Sequence, residues 1–192
     1  MILETSLIAM PMKGQTASGD GHLVLTGGPE TLLVVLDGLG HGPVAADVVA
    51  TALPHIEKSG AISLDALFQE LDGVLAGSRG AVIAAARINP SSQSLTWAAV
   101  GDVQGVIVHK GGRSTLVGKP GILGYHCPRV NESIVDFPYG SILCLATDGV
   151  DPGFASAIMP GRSLEDNARQ LQRCLRPERD DCLILLARLI TS

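Results

Sequence analysis

Basic residues are few and scattered in this chain: 14 lysines and arginines stand against 19 aspartates and glutamates, a net charge of −5. No Lys/Arg cluster appears, which argues against non-specific nucleic-acid binding. The four cysteines, at 127, 144, 174 and 182, form no C-x-x-C pair and are expected as reduced thiols in or near the core, in a reducing compartment. No apolar run approaches the ~20 residues that a membrane span needs. The opening "MILETSLIAM" has no basic stretch and carries Glu4, so a signal peptide is not expected. Aromatic residues make up only 3% and charged residues 17%, whereas hydrophobic residues reach 46%, the balance of a globular chain with a substantial core. A length of 192 residues is expected to form one domain, 1–192, cytoplasmic and soluble.

The order of patterns is strands, then helices, then strands again. "TSLIAMPM" and "GHLVLTG" suggest a first strand pair, and "TLLVVLD" a third strand buried on both faces. Pro43 suits the first turn of a helix whose apolar stripe is Val44, Ala45, Val48, Val49, Ala52, Leu53 and Ile56. Ser63 is a candidate N-cap for a second helix, striped by Leu64, Leu67, Phe68, Leu71, Val74 and Leu75. From Gly80 the period shortens. "AVIAAARI", "SLTWAAVG" and "GVIVHKGG" are spaced as in an antiparallel meander, which "ESIVDFPYG" and "SILCLATDG" continue. Ser163 opens a further helical stretch over 163–175, and "DCLILLARL" ends the chain as a buried strand. Many strands with few helices suit an α+β architecture of two stacked, mainly antiparallel sheets with helices on the outer faces.

The ends of the apolar strands carry aspartates. Asp20 sits in "SGDG", Asp37 closes "LLVVL", Asp148 follows "ILCLAT", and Asp180 with Asp181 precedes "CLILLARL". Asp-Gly at a strand end is also ordinary turn chemistry. Converging at one sheet edge, however, these carboxylates would repel one another unless cations neutralised them, and hard divalent ions prefer such oxygen ligands. The segment "LDGLGHG" at 36–42 has three glycines beside a carboxylate, more than a turn requires, as though backbone must approach something charged. Gly38 would leave its carbonyl accessible to an ion.

The ordered set of "SGD" at 18–20, "LDGLGHG" at 36–42, "KPGILG" at 119–124, "LATDGV" at 145–150 and "RDDCLILLARL" at 179–189 spans nearly the whole chain. It resembles the metal-dependent protein phosphatases, the PPM or protein phosphatase 2C-like superfamily, and within it the bacterial stress-response and sporulation branch. The resemblance implies an α/β-β/α sandwich binding two manganese or magnesium ions. It implies that Asp37 bridges both ions, that the Gly38 carbonyl binds one, that Asp148 and Asp180 hold the other, and that Asp20 acts as a ligand or through a water. Asp181 takes the place of an orienting residue, although spacing leaves open which of Asp180 and Asp181 ligates. The short length, without a sensor or regulatory segment, looks most like the stressosome phosphatases. That implies a monomeric serine/threonine phosphatase acting on a phosphorylated regulatory protein, in particular a STAS-domain stressosome scaffold.

His41 is a candidate proton shuttle or a structural turn residue, and Lys13 a candidate phosphate contact or a solvated lysine. His22, His55, His109 and His126 lack ligand-like spacing, and Trp97 is expected in the core. Ser141 departs from the family pattern, standing where an acidic residue often follows the glycine. Two other functions are open to the sequence. A catalytically inert phosphoprotein adaptor would be free to lose the aspartates, yet all are present. A nucleotide-binding loop fits poorly, because Gly38-x-Gly40-x-Gly42 is not G-x-G-x-x-G and no Gly-Lys-Ser/Thr follows.

Overall fold

β-branched and leucine-rich runs such as Leu32–Leu36 cannot be solvated on either face, so their strands must lie inside a layered structure. The computed structural model describes residues 2–191 and arranges ten strands in two antiparallel sheets. The first sheet is built from β1 (Ile2–Met10), β10 (Cys182–Ile190), β9 (Ile142–Ala146), β6 (Gln104–His109) and β7 (Gly112–Leu116), in that spatial order. The second runs β2 (Asp20–Leu25), β3 (Thr31–Gly38), β4 (Ala81–Asn89), β5 (Ser94–Val100) and β8 (Ser133–Asp136).

Alternation along β3 sorts its side chains into two cores. Leu33 and Val35 point between the sheets, where they meet Trp97, Leu143, Leu145, Leu183 and Leu185. Leu32, Val34 and Leu36 face outward, under α1 (Pro43–Ser59) and α2 (Leu64–Val74). On the opposite outer face, α3 (Leu164–Leu171) covers Cys144, Ala146, Ile184 and Leu186. The result is the expected α/β-β/α sandwich. Each fully buried Leu, Ile or Phe in these layers contributes about 1.5–3 kcal/mol relative to exposure.

The helices begin where their sequences require. Pro43 occupies the first turn of α1, where its missing N–H is no loss. Ser63 caps α2 by accepting from the Ala66 N–H, and Ser163 caps α3 by accepting from the Asp166 N–H. Trp97 is buried, its indole N–H donating to the Val117 carbonyl at 3.0 Å.

Strand pairing differs from the local reading in two places. β1 does not pair with β2; it pairs with β10 over the full span from Ile2↔Ile190 to Met10↔Cys182. The meander also breaks after β5, because β6 crosses to the first sheet and pairs with β7 and β9. Both are long-range choices: inter-sheet packing selects the partner of an apolar strand, and periodicity carries no record of it.

Candidate metal centre

Ladder register is what first brings two carboxylates together. Asp20 and Asp37 are directly paired residues of β2 and β3. Asp37 continues the alternation of Leu33 and Val35, so it lies on the face that looks between the sheets. β9 and β10 supply the other half. Their pairing of Ala146 with Ile184 places the chain leaving β9, with Asp148, beside the chain entering β10, with Asp180. Asp37, Asp148 and Asp180 line one cleft of about 450 Å³, walled by Leu39, Gly40 and Val82 and by Pro120, Gly121 and Ile122 of the 119–124 motif.

Electrostatics records the crowding. Burial pushes the Asp37 carboxyl up to about 9, with the charges of Asp20, Asp148, Asp180 and Asp102 adding to the shift. Asp20 is raised to about 7 by burial, opposed by a hydrogen bond from Thr147 and reinforced by Asp181, Asp148 and Asp180. Asp148 is raised too, by desolvation first and then by Asp180 and Asp102. Groups so arranged hold protons when no cation is near and exchange them for a cation when one is.

Asp181 has a different task. Its Oδ1 accepts from the Met12 N–H and its Oδ2 from the Gly19 N–H, both at 2.7 Å, and the side chain is buried. Both oxygens are thereby committed to holding the loop between β1 and β2, which delivers Asp20. Among the described residues the Asp180 carboxylate accepts only from the adjacent Asp181 N–H, at 2.8 Å through Oδ1, and Asp180 lines the cleft. Thr147 ties the sheets together at this edge: its hydroxyl donates to Asp20 Oδ2 at 2.8 Å and accepts from the Leu183 N–H at 2.9 Å.

The glycines of 36–42 allow close approach. A β-carbon on Gly38 would stand 2.6 Å from the Ala45 carbonyl oxygen, so only glycine lets α1 start against the end of β3. His41 is exposed in the turn and outside the residues lining the cleft. Lys13 is exposed in the β1–β2 loop, with its backbone N–H bonded to the Pro177 carbonyl.

Asp102 also lines the cleft, although it is not among the candidates named from the sequence. The signal was present, since Asp102 follows the apolar strand β5 by two residues, as Asp148 follows β9. Among the described residues no three acidic, histidine or cysteine side chains close into a finished cage. The donor set nonetheless fits a hard divalent ion: it is all oxygen, mutually repelling and open to solvent, and magnesium in particular keeps several of its own waters.

A two-sheet sandwich with acidic strand ends at one edge is the protein phosphatase 2C-like fold. The structure of the RsbX protein in complex with magnesium superimposes with a TM-score of 0.89 at 22% identity, covering 97% of this chain and 95% of that one. The S. agalactiae serine/threonine phosphatase does so with a TM-score of 0.81 at 14% identity, covering 98% and 100%. A chain from work on the bacterial stressosome as a system adapted to control secondary messenger signaling gives a TM-score of 0.89 at 30% identity, covering 98% and 100%. In sequence, the phosphoserine phosphatase RsbX of Bacillus subtilis (strain 168) is 22% identical over 97% of this chain and 95% of its own length. Residues 27–190 match the model of the stage II sporulation protein E (SpoIIE) family, and the chain belongs to that family.

Proposed function

We propose that this chain is a manganese- or magnesium-dependent phosphatase that hydrolyses phosphoserine or phosphothreonine on a bacterial regulatory protein, with residues 1–192 as one catalytic unit. The observation that carries the reading is the convergence of Asp37, Asp148 and Asp180 on one cleft, with Asp20 paired in register to Asp37 behind it and the carboxyls of Asp20 and Asp37 raised to about 7 and about 9.

In this reading Asp37, Asp148, Asp180 and the Gly38 carbonyl would hold the divalent ions, with Asp37 shared between them, and Asp20 would be a ligand or act through water. Asp181 is a positioning residue, because its oxygens already hold Met12 and Gly19. When bound, the ions supply charge that acidifies a water and clamps the phosphoryl oxygens for in-line displacement. The chain itself holds the carboxylates at fixed separation, Thr147 orients Asp20, and the cleft walls at Leu39, Val82 and Ile122 limit water around the phosphate. No cysteine nucleophile enters the scheme. Burial raises the thiols of Cys127 and Cys182 to about 11 and moves those of Cys144 and Cys174 in the same direction, away from the reactive thiolate.

The partner we propose is a phosphorylated stressosome scaffold protein with a STAS domain, met by a monomer in the cytoplasm. The 30% identity to a chain from work on the stressosome supports the partner, and four cysteines without a disulfide support a reducing setting. No helix among the described residues is long and apolar enough to cross a membrane.

The deciding experiment follows phosphate release from a panel of serine- and threonine-phosphorylated stressosome proteins, with manganese, with magnesium and with excess chelator. Release only in the metal-containing reactions is expected. Undiminished turnover in chelator, with metal loss verified by elemental analysis, would overturn the metal-dependent reading.

A further inference from the structure

The cleft lining contains Asp37, Asp102, Asp148 and Asp180 among glycines and apolar residues, and no lysine, arginine or histidine. A phosphomonoester dianion approaching so acidic a site gains from fixed positive charge at the rim, which draws it in and orients it. Arg79 stands there. Its Nη1 lies 2.8 Å from the place a β-carbon on Gly40 would take, and Gly40 lines the cleft. Gly40 also has φ +95°, so this turn is reserved for glycine both by its backbone and by the guanidinium above it.

The local structure holds the base of Arg79 and leaves its head unengaged. The Ser78 N–H donates to the Leu75 carbonyl at 3.0 Å, the Gly80 N–H to Ser78 Oγ at 3.0 Å, and the Leu39 N–H to the Gly80 carbonyl at 2.9 Å. The last bond links the Arg79 turn directly to the glycine segment that follows Asp37. Among the described residues no hydrogen bond or ion pair engages the Arg79 guanidinium, and the side chain is exposed. Arg87, Arg129, Arg169, Arg176 and Arg188 are each bonded to carboxylates or carbonyls. Among the described residues the side chains of Arg113, Arg162, Arg173 and Arg179 are unbonded as well, but it is Arg79 that lies against Gly40 of the cleft.

We infer that Arg79 is the substrate-binding arginine of this cleft, donating in a fork to the phosphoryl oxygens of the bound phosphoserine or phosphothreonine. A guanidinium presents a planar set of donors that matches phosphate, and it stays charged at any working pH. The inference rests on the phosphatase reading above. It adds the group that recognises the phosphoryl moiety independently of metal ions.

The test compares the full-length, magnesium-loaded wild type with Arg79→Ala and Arg79→Lys. Two quantities are measured: kcat and KM on a phosphorylated stressosome protein, and the affinity for inorganic phosphate by calorimetry. Arg79→Ala is expected to raise both KM and the phosphate Kd about 10- to 100-fold, the loss of a charge-assisted contact, with a smaller change in kcat. Arg79→Lys is expected to recover part of both, because it restores charge without the fork. Unchanged KM and phosphate affinity in Arg79→Ala would overturn the assignment, as would a fall in kcat alone. Failure of the wild type to release phosphate from any phosphoprotein would instead overturn the phosphatase reading, while the phosphate-affinity comparison would still decide whether Arg79 binds the anion.

Discussion

Asp20 and Asp37 face each other across the β2–β3 ladder as directly paired residues. Like charges at such positions destabilise a sheet, so the pair is tolerable only when protonated or when a cation lies between them. The raised carboxyls of both residues express this conflict, and most of the expected behaviour of the protein follows from it.

Asp37→Asn removes one charge while keeping the shape. Turnover should fall by about 100-fold or more, since the carboxylate proposed to hold the ions loses its charge. The fold should remain, because burial already favours the neutral acid at this position. Metal titration and circular dichroism together check the prediction. A variant with wild-type metal affinity and rate would leave Asp37 as a turn residue only.

Stability without metal should fall as pH rises. The folded-state carboxyls of Asp20 and Asp37 lie at about 7 and about 9, above the ordinary 3.8. The native state therefore binds more protons than the unfolded chain across that interval. Its advantage is full below pH 3.8 and is lost through about pH 7 for Asp20 and about pH 9 for Asp37. Chelated protein melted at intervals from pH 5 to 9 should show a declining Tm over about that window. Saturating magnesium should flatten the decline and raise the Tm, an ion at 100-fold its Kd contributing about 2.7 kcal/mol.

Asp181→Asn should damage structure and metal binding together. An amide offers one oxygen where the carboxylate offers two, so either the Met12 or the Gly19 N–H loses its acceptor. A cost of about 1–3 kcal/mol in urea unfolding is expected, with weaker magnesium binding because the Asp20 loop loosens. Wild-type stability with weakened metal binding would instead mark Asp181 as a ligand.

Ser141 gives an opposite expectation. Its hydroxyl is buried at the start of β9, away from the Asp148 end, and has no hydrogen-bond partner among the described residues. Ser141→Ala removes a desolvated polar atom and should stabilise the fold by about 1 kcal/mol, with kcat/KM unchanged. Thermal unfolding beside a routine assay would detect either outcome.

Much of this site could be read from residue order, for a physical reason. An aspartate at either end of an apolar strand is placed by the strand itself: Asp37 lies near the end of β3 and Asp148 just past β9, while Asp20 opens β2 and Asp180 precedes β10. Helix starts were equally legible, because Pro43, Ser63 and Ser163 act within one turn of themselves. Three features were not. The union of β1 with β10 joins residues at opposite ends of the chain, and nothing in either run names its partner. The division of labour between Asp180 and Asp181 depends on which carboxylate meets the Met12 and Gly19 N–H groups, contacts that exist only after folding. Arg79 in "AGSRG" has no sequence mark at all; its meaning comes from the approach to Gly40.

The β1–β10 pairing also sets how the molecule responds to pulling. Ile2 and Ile190 sit side by side at one end of the ladder, and Met10 and Cys182 at the other, next to Asp181. A load applied between the two chain ends would therefore act as on a zipper, opening ladder bonds one after another instead of shearing them all at once. Rupture would start at the pole farthest from the carboxylates and reach the Met12–Asp181 bond only after the ladder had parted. The cleft is the last part of this seam to feel a tug on the termini.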